Sequence, residues 1–163
     1  MAITNLKVSN FKSFRDLDLN LGRFNVVIGA NASGKSNFVE IFRFLRSIEA
    51  NSVEDAISLH GGTNSVVNRR LGSSEPLRMC ATSDKRMPWA GAWANIQVQE
   101  MTYDFALQVE SPQNGVVIQE DHFTQKLRVG TDGESRETQL DIRTSEDKPR
   151  VQISPPEVVD HAT

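Results

Sequence analysis

The residues Gly29-Ala30-Asn31-Ala32-Ser33-Gly34-Lys35-Ser36 satisfy the pattern Gly-x4-Gly-Lys-Ser/Thr in full. The chemistry open to such a string is the gripping of a polyphosphate. A triphosphate spreads its negative charge over many oxygens and needs several converging donors. Successive N–H groups of a wrapped loop, continued by a helix N-terminus and its dipole, supply them. Gly29 and Gly34 allow a tight turn and a close backbone approach where a Cβ would collide. In such a loop Lys35 sets an ammonium against the β- and γ-phosphates, and the Ser36 hydroxyl faces Mg²⁺.

The string carries weight only between a buried strand and a helix. Phe24–Ile28 is a nearly continuous apolar run, which predicts a strand buried on both faces. Beyond the loop, Phe38, Ile41, Phe42, Leu45 and Ile48 recur with helical spacing and predict a helix over roughly 35–50, its stripe turned to the core. Upstream, Ile3, Leu6 and Val8 open a first strand. Leu17, Leu19 and Leu21 alternate with Asp16, Asp18 and Asn20 in a second, so 3–28 reads as three short strands.

The chain divides into a phosphate-loop core (3–50), a helix and loop excursion (51–93), a β-rich meander (94–154) and a polar tail (155–163) expected to fray. A short helix is expected at Val53–Leu59, stopped by Gly61-Gly62. A strand is expected at Leu77–Ala81, whereas Lys85-Arg86-Met87-Pro88 reads as loop. Ile96 and Val98 alternate, the phase slips near Glu100-Met101, and Tyr103, Phe105, Leu107 and Val109 alternate again, the sign of a bulge or of two strands. Asn114-Gly115 is a hairpin signal leading to Val116–Ile118. Asp132-Gly133 is a second, between Phe123–Val129 and Thr138–Ile142, and Val151–Ile153 is the last strand.

With 163 residues, 38% hydrophobic and 24% charged, the composition suits one globular domain. No apolar stretch approaches the roughly 20 residues of a membrane span, and Met1–Lys7 lacks the pattern of a secretory signal. One cysteine, Cys80, cannot pair internally, so a reducing, cytoplasmic home is expected and the thiol reads as a small buried hydrophobe. Net charge is -3, but residues 1–50 carry seven basic against four acidic side chains. This suits an anion-binding N-terminal region without the basic footprint of a nucleic-acid binder.

His60, His122 and His161 lack metal-ligand spacing. Leu59-His60-Gly61-Gly62-Thr63 reads as the end of a helix. Val116–Asp121 ends in Gln-Glu-Asp after a hairpin turn and reads as an edge strand with solvated acids. Arg69-Arg70 and Lys85-Arg86, with Trp89 and Trp93, read as a surface loop anchored by tryptophans, contact with DNA being the alternative.

The stretch Leu6–Phe14, the leucine-rich strand after it and Val27–Asn37 together resemble the N-terminal lobe of ABC-type ATPases. The likeness is to the RecF/SMC-like branch, which includes bacterial AAA-type ATPases related to the overcoming-lysogenization-defect nucleases, and it covers about residues 3–48. It implies an α/β fold: a P-loop NTPase core, ABC-ATPase-like lobe I, with a substantial antiparallel β meander. It also implies ATP and Mg²⁺ as cofactors, with Asn31 at the family's loop Asn, Ala32 where Gly is commoner, and Asn37 just past the loop. Lys12-Ser13-Phe14 matches a short motif beside the nucleotide's base and sugar; the residues alone leave Lys12 equally a solvated turn lysine. ATPases of this type act as paired heads and need a Walker B strand, a signature motif and a switch histidine. None is identifiable here, nor is a general base, and Gln97, Gln99 and Gln108 leave any Mg²⁺-sensing glutamine open.

The expected role is therefore the Mg-ATP-binding half-domain of such an ATPase, completed by a C-terminal lobe or a second head, with DNA reached through the whole assembly. DNA repair, chromosome handling or phage defence would be its setting. A non-catalytic nucleotide-sensing or interaction module is the rival. A free-standing GTPase is disfavoured, since neither Asn-Lys-x-Asp nor a following Asp-x-x-Gly is present.

Overall fold

The computed structural model describes residues 2–84, 87–90, 95–111, 115–131, 134–145 and 148–154. Strand β1 (Ile3–Phe11) turns tightly into β2 (Phe14–Asn20), and helix α1 (Lys35–Ala50) follows residues 21–34, which form neither helix nor strand. Two short helices, α2 (Val53–Leu59) and α3 (Thr63–Val66), and a 3-10 turn at Gly72–Ser74 lead into β3 (Leu77–Ser83) and β4 (Met87–Ala90). The long strands β5 (Asn95–Ser111), β6 (Gly115–Thr131), β7 (Glu134–Ser145) and β8 (Lys148–Ser154) complete one sheet. Its order is β2-β1-β3-β5-β6-β7-β8, with β4 beside the other half of β5.

Every named strand pair is antiparallel, and period-two alternation gives the sheet two unlike faces. One row runs Leu19, Leu6, Ala81, Tyr103, Phe123, Ile142, Val151 across seven strands; the next runs Asp18, Lys7, Cys80, Asp104, His122, Arg143, Arg150 on the other face. α1 lies on the apolar face, where Ile41 and Phe44 are fully buried among Leu6, Val8, Phe11, Met79 and Phe105. Phe44 meets Phe11 with ring centroids 5.6 Å apart.

The expected helices at 35–50 and 53–59 match α1 and α2, the latter capped by the Ser52 hydroxyl accepting from the Asp55 amide at 3.1 Å. The phase slip near Glu100-Met101 is a register shift between Val98 and Glu100 within one strand, β5. Val116–Ile118 and Phe123–Val129 belong to the single strand β6, and Met87-Pro88 opens β4 rather than a loop. Lys85, Arg86, Trp93, Asn114, Asp132, Gly133 and the tail 155–163 lie outside the described residues.

A further expectation fails, at the run before residue 29. Phe24–Ile28 forms no strand, and Phe24, Val26 and Ile28 are 85%, 68% and 87% exposed. A run buried on both faces needs a parallel neighbour and a covering layer, and the described residues provide neither. The parallel sheet expected of an α/β phosphate-loop core is thus not formed within them; three strands over 3–28 become two.

Candidate functional site

The glycine-containing stretch 29–34 leads directly into α1. Gly34 is the N-cap residue at φ 95°, a left-handed conformation natural to glycine, and Ala32 also stands at φ 63°. A Cβ on Gly29 would come within 2.7 Å of Ser33 Oγ, and one on Gly34 within 3.0 Å of Ser13 Oγ. At Gly34 the left-handed backbone favours glycine, whereas at Gly29 an added Cβ would displace the Ser33 hydroxyl. Ser33 donates its N–H to the Ala30 carbonyl at 3.3 Å, closing the turn. Lys35 folds back over the loop and donates through Nζ to the carbonyls of Gly29 at 2.7 Å and Ala30 at 2.6 Å. No acidic side chain stands in the first turn of α1 and no side chain caps it, so the positive end of its dipole is left for an external anion.

The β1–β2 turn docks on this helix end. Asn37 Nδ2 donates to Ser13 Oγ at 2.9 Å. Lys12, at φ 47°, donates its N–H to the Val66 carbonyl at 2.8 Å, and its ammonium stands 5.9 Å from the Phe11 ring centre. Lys12, Ser13 and Asn37 line an open cleft of about 790 Å³ together with Arg15, Asn64, Asn68, Arg69 and Arg70. Four cations and no carboxylate line it. Arg69 and Arg70 are exposed in a turn, as a surface loop requires, and both line the cleft that carries Lys12; the expected tryptophan anchors, Trp93 and the Trp89 side chain, lie outside the described residues.

The device that brings them there is Asn10, fully buried at φ 54°. Its Nδ2 donates to the carbonyls of Gly72 at 2.9 Å and Glu75 at 2.6 Å, and its Oδ1 accepts from the Asn68 amide at 3.1 Å. One side chain thus pins both ends of the segment bearing Arg69 and Arg70 to β1. No pattern in the sequence marks Asn10, although asparagine does tolerate the left-handed region better than other side chains.

The remaining candidates lie elsewhere. Gln108 donates to the Ser73 carbonyl at 2.7 Å, while Gln97 and Gln99 line a polar hollow with Asp84, Arg128 and Glu137. None of the three lines the cleft. Gly61 and Gly62 end α2, their amides donating to Ser58 and Ile57 carbonyls, and Gly62 also precedes the four-residue α3. Glu120 pairs with Arg78 through both carboxylate oxygens, at 2.7 and 2.8 Å, and the guanidinium holds its carboxyl below the usual range. That acid sits in an antiparallel strand, where β6 residues before Asp121 pair with β5 alone. His122 contacts Asp141 at 3.2 Å, and Cys80 is half-buried, its thiol pushed up by burial.

Residues 29–33 lie exposed as a turn at the uncapped end of α1, with Lys35 folded over them, and of this stretch only the adjoining Asn37 lines the cleft. For Mg²⁺ the described residues offer the Ser36 hydroxyl and no cluster of three or more His, Cys, Asp or Glu. Mg²⁺ commonly keeps several waters and takes its other ligands from phosphate oxygens, so an ion held chiefly by a nucleotide would ask only the Ser36 hydroxyl of these residues. No described helix is long and apolar enough to cross a membrane.

Residues 1–143 match the family model described as an AAA ATPase domain. The chain is 35% identical over 98 residues to the DNA replication and repair protein RecF of Desulforudis audaxviator, covering 56% of this chain and 27% of that one. It is 32% identical over 69 residues to the chromosome partition protein Smc of Methanocaldococcus jannaschii (38% and 6%). It is 40% identical over 45 residues to the endonuclease GajA of Bacillus cereus (28% and 8%). These matches span about a quarter or less of each curated relative.

Proposed function

Because the chain belongs to the AAA ATPase domain family, as an N-terminal lobe of the RecF/SMC-like ABC type, we propose that it binds Mg-ATP through residues 29–36. The observation that carries this reading is the Lys35 clasp on the Gly29 and Ala30 carbonyls at the open end of α1. The loop amides and the helix end take the phosphate oxygens, and Lys35 exchanges its carbonyl partners for them. Ser36 presents its hydroxyl to the metal, whose charge offsets that of the β- and γ-phosphates. Lys12, Arg15, Arg69 and Arg70 extend the positive field along the cleft toward the remainder of the nucleotide.

Turnover requires acids that the described residues do not bring to the loop. Phe24–Ile28 gives this a structural form: an apolar run before residues 29–36, left largely exposed by the described residues, suits pairing with a strand supplied by a complementing C-terminal lobe. In the complete assembly, a cytoplasmic one, ATP-gated pairing of heads would serve DNA repair, chromosome handling or phage defence.

The test is nucleotide-induced thermal stabilisation. ATP with Mg²⁺ should raise the unfolding midpoint and Lys35→Ala should abolish the rise. Stabilisation that survives in Lys35→Ala, or a strong preference for GTP, refutes the reading.

A further inference from the structure

The site leaves one carboxylate without a role. Glu40 lies on α1, little more than one turn beyond Lys35 and Ser36, and its oxygens have different partners. Oε1 accepts from Arg43 Nη1 at 2.6 Å. Oε2 faces His60 Nδ1 at 3.2 Å and Lys12 Nζ at 4.0 Å. The imidazole is held on both sides: its Nε2 lies 3.2 Å from Ser47 Oγ, and its ring stacks edge-on against Phe44 with centroids 5.3 Å apart. The Glu40 carboxylate is thus built into the junction of α1 and the end of α2. Hydrogen bonding from Arg43 holds it below the usual carboxylate range, so it stays charged.

Lys12 is the partner without a hydrogen bond to it. Only 17% of its side chain is exposed, and at 4.0 Å the ammonium is within the carboxylate's field but beyond hydrogen-bonding distance. Its protons remain free to meet another acceptor in the cleft that it lines.

We propose that Glu40 is a positioning residue of the nucleotide site, holding the Lys12 ammonium at the cleft wall where it meets an anionic group of a nucleotide seated on residues 29–36. This rests on the phosphate-loop reading and deepens it. A free lysine loses much rotamer freedom when a ligand immobilises it; one already held loses less, and the saving appears as affinity. A carboxylate that merely sat near the site would act oppositely, since its negative charge repels a polyanion. Removing the charge therefore weakens binding if Glu40 positions Lys12 and tightens binding if it is a bystander.

The experiment measures Mg-ATP dissociation constants by calorimetry at one ionic strength for the wild type, Glu40→Gln, Lys12→Ala and the double variant. Glu40→Gln should weaken binding roughly 3- to 10-fold, the value of one pre-ordered side chain. In the Lys12→Ala background the same change should no longer weaken binding, and loss of the bare repulsion should leave it equal or slightly tighter, because the weakening acts through Lys12. Glu40→Asp retains the charge at shorter reach and should fall between wild type and Glu40→Gln. Unfolding midpoints without nucleotide identify any variant whose fold is lost. Unchanged or tighter binding in Glu40→Gln, or an undiminished effect in the Lys12→Ala background, overturns the positioning role. A wild-type chain showing neither binding heat nor a Lys35-dependent shift overturns the phosphate-loop reading itself, so the two failures are distinct.

Discussion

Asn10→Ala should destabilise the chain by about 3 kcal/mol, an estimate with three parts. The side chain is fully buried and supplies the donors to the Gly72 and Glu75 carbonyls. Losing two such bonds costs roughly 1 kcal/mol each. The Asn68 amide loses Oδ1 at 3.1 Å but keeps the Asn10 carbonyl at 3.3 Å, so it adds little. Alanine at φ 54° adds about 1 kcal/mol of backbone strain that asparagine tolerates better. Asn10→Gly avoids that strain and should cost about 1 kcal/mol less than alanine. Asn10→Asp should be the worst, since it turns a buried carboxylate toward two carbonyl oxygens. For a chain of this length 3 kcal/mol lowers the thermal midpoint by roughly 6–12 °C, which scanning calorimetry or urea unfolding resolves. An alanine variant within about 1 kcal/mol of wild type, or an aspartate variant more stable than the glycine one, would refute the clamp and with it the account of how Arg69 and Arg70 reach the cleft.

Two further outcomes follow from the exposed run and from Tyr103. Val26→Thr with Ile28→Thr should change the chain's unfolding free energy by less than about 0.5 kcal/mol, as surface changes do, while reducing self-association in light scattering; a larger loss would mean that the run is packed in solution. Burial, and then Asp121, raises the Tyr103 hydroxyl above its usual pKa of 10.0. A group whose folded value is raised stabilises fully below its unfolded value, and that contribution falls away as pH climbs through 10 and beyond. Tyr103→Phe should flatten the fall in unfolding midpoint between pH 9 and about 11; an equally steep fall in the variant would assign it to other groups.

Local patterns carried far in this chain. The Gly-Lys-Ser step and the apolar stripe set the bounds of α1, and a slipped alternation marked the irregularity beside Gln99 before any partner strand was known. Hydropathy reports what a segment requires rather than what surrounds it, so Phe24–Ile28 read as buried although nothing described covers it. The cleft was illegible for a different reason. Arg69 and Arg70 reach Lys12 only through left-handed turns at Asn10 and Lys12 and through bonds spanning about sixty residues. Glu40 was half legible: its spacing from Arg43 is that of a helical ion pair, but its approach to His60 and Lys12 depends on how α2 packs.

The pairing of β1 with β3 has a kinetic consequence. Strands β5 to β8 join consecutive neighbours and can zip from short connections, whereas β1 sets Ser9 against Arg78 and so encloses α1, α2 and the phosphate loop before its ladder can form. Closing that long excursion is the entropically slow step. The expected order is that the meander and the local β1–β2 hairpin mature before the β1–β3 ladder, which pulsed amide exchange during refolding would show as late protection of β1 and β3 relative to β5–β7.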